Sequence, residues 1–201
     1  MPDAPAHPAI QRVLDAAARK GVTLEVIPFD ESTHTAAEAA AALDVELGQI
    51  VKSLVFVIPA AAGGEPVLCL VAGHNRVDLA RLAAITSAPD IRRATAREAH
   101  DLTGFSIGGI PPIGTERTVR VIMDPDLGRY PVVWAAAGLP TTVFPIPPGT
   151  LRILSNATVA PIAETRLPVE AERDVEGAGL AAGGGGSGGG PTRSAITRVD
   201  A

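Results

Sequence analysis

Apolar residues recur at helical spacing near the start of the chain. Ala9-Ile10, Val13-Leu14 and Ala17-Ala18 fall on one face, and Gly21 supplies a stop. That spacing predicts an amphipathic helix, followed by a strand over Val22 to Phe29. Thr35-Ala36-Ala37-Glu38 has the spacing of a capping box ahead of an alanine-rich run to Leu43, which predicts a second helix. Val51 to Ile58 and Val67 to Ala72 are rich in β-branched residues and are separated by a short Ala/Gly stretch, the pattern of a hairpin. Asp78 opens a short helix to about Ile85, and Thr95 another to Leu102 with Glu98 at capping-box spacing. Val119 to Met123, Val132 to Ala136 and Val143 to Ile146 read as strands. Pro147 or Pro148 starts a last short helix, and Val159 to Ile162 a last strand. Strands that occur both in hairpins and after helices predict an α/β chain of the α+β type, its mixed sheet curled toward a barrel with helices outside.

The pattern changes after about residue 164. Nine of the 21 glycines lie beyond that point, most of them in Gly183 to Gly190. Such a segment offers little to bury, so residues 1–164 are expected to form one domain and 165–201 a flexible, glycine-rich extension. With 46% hydrophobic residues the chain has enough apolar material for one core. A net charge of −5 argues against a protein that coats duplex DNA. The run Leu54 to Ala62, broken by Pro59, is far shorter than the roughly 20 residues of a spanning helix. The start of the chain has neither the basic nor the apolar region of a secretory signal, so a cytoplasmic protein is expected. The one cysteine, Cys69, sits in an apolar run and reads as buried and inert.

Chemistry is concentrated in a few places. Lysine occurs only at Lys20 and Lys52, against fifteen arginines, and Lys52 lies in the apolar stretch Val51 to Phe56 beside Ser53. An ammonium there either snorkels to water or meets an anion, such as a phosphate or a carbonyl gaining charge. Gly104 to Gly114 is the densest Gly/Pro stretch of the domain. Its glycines let backbone approach a ligand while Pro111 and Pro112 stiffen it, though a tight helix-to-strand connection has the same composition. It matches neither a P-loop nor a dinucleotide fingerprint. His34, flanked by Thr33 and Thr35 before a helix start, is placed to dock a ligand group or simply to face solvent. The histidines lack metal-site spacing, and no cofactor is expected. Asp124 ends an apolar strand before Pro125, where it can bind a ligand amine or hydroxyl or cap a turn. No histidine can be assigned to Ser53 or Ser106 as a catalytic partner, so a serine-hydrolase triad is disfavoured.

Taken in order, Thr33 to Glu38, Leu47 to Phe56, Gly104 to Gly114 and Val121 to Asp124 resemble the YbaK/EbsC family, which includes the editing domain of bacterial prolyl-tRNA synthetase. The resemblance runs from about residue 8 to 163. It implies a mixed β-barrel flanked by helices and hydrolysis of the ester joining a wrong amino acid to the tRNA 3′ end. By this resemblance Lys52 matches the family lysine that holds the terminal adenosine phosphate or ester region. Gly108 and Pro112 match the ends of a Gly-x-x-x-Pro motif that positions the aminoacyl carbonyl, with Gly109 and Ile110 between them. Asp124 matches an acidic position near the pocket, and His34, Thr35 and Ser53 complete the expected substrate contacts. Lys52 and Gly108 are the expected catalytic positions, in chemistry that is largely substrate-assisted.

The implied protein is a cytoplasmic, trans-acting aminoacyl-tRNA deacylase whose partner is the tRNA 3′ aminoacyl end, expected to be that of tRNA(Pro) carrying a small wrong amino acid such as Cys or Ala. Prolyl-tRNA synthetase is a candidate second partner. Pro111 stands where cysteinyl-tRNA(Pro) deacylases of the family commonly carry serine, so the amino acid removed stays open. The alternatives are a non-catalytic aminoacyl-adenosine or nucleotide-binding module working with a synthetase, and a hydrolase of small esters unrelated to tRNA.

Overall fold

The structure is a computed structural model that describes residues 7–28, 35–60 and 64–165. The glycine-rich extension expected over 165–201 lies outside these residues except for Thr165.

Local sequence signals set most element starts. Helix α1 (Pro8–Ala18) begins with proline in its first turn, where a missing amide costs nothing. Helix α2 (Ala36–Leu43) carries a two-way capping box. Thr35 Oγ1 accepts from the Glu38 amide at 3.2 Å, and Glu38 Oε2 accepts from the Thr35 amide at 3.0 Å. Helix α4 (Ala96–Thr103) repeats the device with Thr95 and Glu98, while helix α3 (Leu79–Thr86) is capped by Asp78. Each cap is worth about 1 kcal/mol. Helix α5 (Pro148–Ser155) again starts on proline.

The strands form two sheets. In the larger, β2 (Val51–Ile58) and β3 (Glu65–Ala72) make the expected hairpin, with Lys52 opposite Val71 and Ser53 opposite Leu70. Strand β4 (Arg92–Arg93) adds to β2, and β5 (Arg120–Met123) and β8 (Thr158–Val159) follow β3 in parallel, giving the order β4-β2-β3-β5-β8. The smaller sheet is antiparallel, ordered β1 (Ile27–Pro28), β7 (Thr142–Ile146), β6 (Val133–Ala136). A parallel bridge between Ile50 and Trp134 joins the two. The strands are therefore mixed in direction and helix-flanked, as expected, but they lie in two sheets that do not close into a barrel.

Two strand expectations need correction. Phe29 lies outside the described residues; among Val22 to Pro28 only Ile27 and Pro28 pair in a ladder, and Leu24 buries its side chain in the core without a partner strand. The run Val159 to Ile162 leaves the sheet after Val159, because the amides of Ile162 and Ala163 turn to the Asp124 carboxylate instead. The first case shows that apolar alternation reports burial and not pairing.

The core lies on both faces of the larger sheet. Val51, Val55, Leu68, Leu70 and Met123 pack against Val13 and Ala17 of α1, Leu151 of α5, Phe144 of β7, and Phe105, Ile110 and Ile113. On the opposite face Phe56, Val67, Cys69, Val71 and Ile122 meet Leu82 of α3, Ile91 and Ile162.

Candidate functional site

Side chains alternate across a strand, so adjacent Lys52 and Ser53 serve opposite faces of β2. Lys52 lies on the side of Leu54 and Phe56, half-buried, and its Nζ donates to the backbone oxygen of Asn75. Asn75 is itself 5% exposed, and its Nδ2 donates to Asp126 Oδ2 at 2.9 Å. Asp126 in turn meets Arg129 at 3.0 Å. The ammonium thus sits at the head of a polar chain that fixes the turn after β3.

Ser53 lies on the side of Val51 and Val55, the side on which Ile110 and Ile113 are packed. Its Oγ is buried and makes no hydrogen bond, the one such side-chain atom among the described residues. A buried hydroxyl without a partner costs about 1–3 kcal/mol, a cost tolerated where a ligand supplies the missing bond. With no imidazole on its oxygen, Ser53 is not an activated nucleophile of the Ser–His kind. Cys69 is no nucleophile either, since burial pushes its thiol up to about 12.

The glycine-rich segment begins where Gly104 ends α4 and continues to Gly114. Gly108 is exposed with φ of +92°, a conformation that L side chains resist. Gly109 is buried against the turn between β6 and β7, where an added Cβ would stand 2.6 Å from the Leu139 carbonyl carbon. The Gly109 amide donates to the Ser106 oxygen at 3.0 Å, and Ile110 and Pro112 are buried, Ile110 in the core. Gly109, more than Gly108, is the position where only hydrogen fits.

The other expected contacts are placed differently. Asp124 is 2% exposed and its carboxylate is fully engaged: Oδ1 accepts the Asp126 amide at 3.0 Å, and Oδ2 accepts Ile162 at 3.0 Å and Ala163 at 2.8 Å. Thr35 is exposed, with its hydroxyl used in the α2 cap. His34 lies outside the described residues. A cleft of about 320 Å³ opens between α1, residues 112–119 and α5. It touches the glycine segment at Pro112 but holds neither Lys52 nor Ser53, and its Lys20 ammonium already serves α5 through Leu154 O at 2.7 Å and Asn156 Oδ1 at 2.9 Å.

Sequence reasoning missed the partners of Lys52 and the packing just before it. An added Cβ at Gly48 would stand 1.8 Å from Tyr130 Oη and 2.7 Å from His74 Cε1, so both rings close over that glycine. No local pattern announces these contacts, which join residues far apart in sequence. Asp126 alone carried a hint, as the second acid of Asp124-Pro125-Asp126. Among the described residues no three His, Cys, Asp or Glu side chains gather as a metal site would need, and no helix is long and apolar enough to cross a membrane.

Comparison with known proteins bears on this geometry. A solved structure described as a candidate trans-editing enzyme for prolyl tRNA synthetase superposes with a TM-score of 0.74 at 42% identity, covering 80% of this chain and all of that one. YwhH of Bacillus subtilis is 29% identical over 135 residues, 67% of this chain and 83% of its own length. The proline–tRNA ligase of Nitratidesulfovibrio vulgaris is 34% identical over 94 residues. This match takes in 47% of the present chain but 16% of the ligase, so the similarity is to one segment of a much larger enzyme. The model of the aminoacyl-tRNA editing domain matches residues 30–154, a span that holds Lys52, Ser53, the glycine segment and Asp124, and the chain belongs to that family.

Proposed function

We propose that this protein hydrolyses the ester between a wrong amino acid and the 3′ end of a tRNA, acting in trans on tRNA(Pro) charged with a small residue such as Cys or Ala. The family supports the reaction class, and the similarity to a candidate trans-editing enzyme and to proline–tRNA ligases supports the tRNA. The observation that carries the reading is the orphan hydroxyl of Ser53, buried on the face shared with Ile110, next in sequence to a lysine in a chain that otherwise favours arginine.

In this reading Lys52 holds a phosphate or ester oxygen of the terminal adenosine. Ser53 and the backbone of Gly108 to Ile110 orient the aminoacyl end. Water, positioned by backbone or by the neighbouring ribose hydroxyl, adds to the carbonyl carbon, or a cysteinyl thiol of the substrate adds first and water then opens the resulting thiolactone. The tetrahedral oxyanion collapses, the bond to the ribose oxygen breaks, and that oxygen takes the proton. Such an activated ester needs positioning and oxyanion stabilisation more than a strong base. Choice among Ala, Cys and Ser rests on a methylene or a polar atom, worth about 1–3 kcal/mol each. Thr35, His34 and Asp124 remain proposed contacts, Asp124 through the loop it caps. Prolyl-tRNA synthetase is the proposed delivering partner.

The test is release of free amino acid from a panel of mischarged tRNAs under single-turnover conditions. Release from one or more small-residue esters of tRNA(Pro) is expected. Tight binding without release would make the protein a binding module, and release only from small esters free of tRNA would overturn the tRNA reading.

A further inference from the structure

Helix α1 precedes the residues matched by the family model, yet it reaches the glycine segment through one side chain. Arg12 Nη2 donates to the Gly104 oxygen at 2.6 Å, its Nη1 donates to Glu116 Oε1 at 2.5 Å, and its guanidinium carbon lies 4.2 Å from the centre of the Phe105 ring. Gly104 and Phe105 open the segment and Glu116 follows its last glycine, so one planar fork spans both ends. The two ends also meet each other, where the Glu116 amide donates to the Thr103 oxygen at 3.1 Å. Between them Gly114 packs so closely on α1 that a Cβ there would stand 3.0 Å from the Arg12 carbonyl oxygen. Phe105 is 2% exposed, so the cation is stacked on a ring that the core holds still.

We propose that Arg12 is a positioning residue: it pins both ends of the segment 104–116 to α1 and so fixes where the backbone of Gly108 to Ile110 sits. The consequence for deacylation rests on the function proposed above. A bidentate, stacked guanidinium suits this work because its donors are rigidly spaced, whereas an ammonium cannot reach the Gly104 oxygen and the Glu116 carboxylate while covering the ring.

The experiment compares wild type with Arg12→Met, Arg12→Lys and Glu116→Gln, each first checked for folding by circular dichroism. Amide hydrogen exchange is then followed over 104–116 and over β3, beside single-turnover deacylation of mischarged tRNA(Pro). In Arg12→Met we expect the segment's amides to exchange about tenfold faster while those of β3 are unchanged. The maximal deacylation rate should fall by up to about 10²-fold with the half-saturating concentration little moved, as misplacement of reacting groups produces. Arg12→Lys should not restore either quantity. Glu116→Gln, which keeps an acceptor and loses only the charge, should move both in the same direction by about threefold, and it serves if Arg12→Met does not fold. Unchanged exchange in the folded variants overturns the proposal, and so does faster exchange with an undiminished maximal rate. If wild type deacylates no tRNA at all, the proposed function falls, and the exchange result alone decides whether Arg12 holds the segment.

Discussion

The two faces of the five-stranded sheet differ in what covers them and in how their polar groups are settled. One face packs under α1, α5, the smaller sheet and the glycine segment, elements drawn from both ends of the domain, and it contains the unpartnered Ser53 hydroxyl. The other packs under α3, Ile91 and Ile162, and the buried polar groups at its rim are satisfied. Thr86 donates to the Leu82 oxygen at 2.8 Å, Asn75 to Asp126, and Asp124 accepts three amides. Hydrogen bonds that close on themselves mark a scaffold, and in the function proposed above the open hydroxyl of Ser53 is the one a substrate would complete. Lys52 stands at the edge of the settled face, its head held by Asn75, so the two candidate groups approach any shared substrate from different sides of one strand.

This contrast can be broken at several points. The largest effect is expected from the covered face itself: Phe144→Ala removes a fully buried ring and should cost about 3–5 kcal/mol in urea unfolding. A loss below about 1 kcal/mol would mean that this face is loosely packed. Next, Lys52→Ala should slow single-turnover deacylation by the equivalent of about 2–4 kcal/mol, beyond the roughly 1–3 kcal/mol lost in unfolding with its bond to Asn75, and Lys52→Arg should not fully restore the rate. A folded Lys52→Ala with a near-normal rate would leave Lys52 only its structural bond to Asn75.

Ser53→Ala separates the faces by sign. Deleting a buried hydroxyl without a partner should raise stability by about 1 kcal/mol while deacylation falls. Lower stability would show that the hydroxyl is structural after all. At the other end of the scale, Glu98 is held down to about 2, first by its side-chain hydrogen bond with Arg92 and then by the Thr95 amide. A depressed carboxyl contributes stability above its unfolded value, near 4.5, that is lost as pH falls toward 2. Because the pair is exposed, only a small acid-side drop in melting temperature is expected, and Glu98→Gln should flatten it. An identical acid limb in the variant would rule that carboxyl out.

What the sequence made legible was whatever a short window encodes. The caps at Thr35, Asp78 and Thr95, the hairpin of β2 and β3 and the proline start of α5 each need only a few neighbouring residues, and each was readable. Lys52, Ser53 and the glycine segment stood out by residue type against their surroundings. Their arrangement did not, because it depends on contacts across long separations: Lys52 with Asn75, Gly109 with Leu139, Gly48 with Tyr130, Arg12 with Glu116. The two-residue strand β4 and the short turn of Pro125–Arg129 were also invisible, since both follow from where their neighbours already lie.

The Asp124 carboxylate sets an order of events during synthesis. It sits just past the end of β5, yet two of its three amide partners are Ile162 and Ala163, and the Asp78 amide also waits for the Ile162 oxygen at 2.8 Å. A nascent chain that has emerged only as far as α5 holds a charged group at the end of β5 with two of its three amide bonds unmade. That intermediate should stay open, protease-sensitive and prone to self-association until residue 163 leaves the ribosome, so the fold closes late and from its last described residues inward.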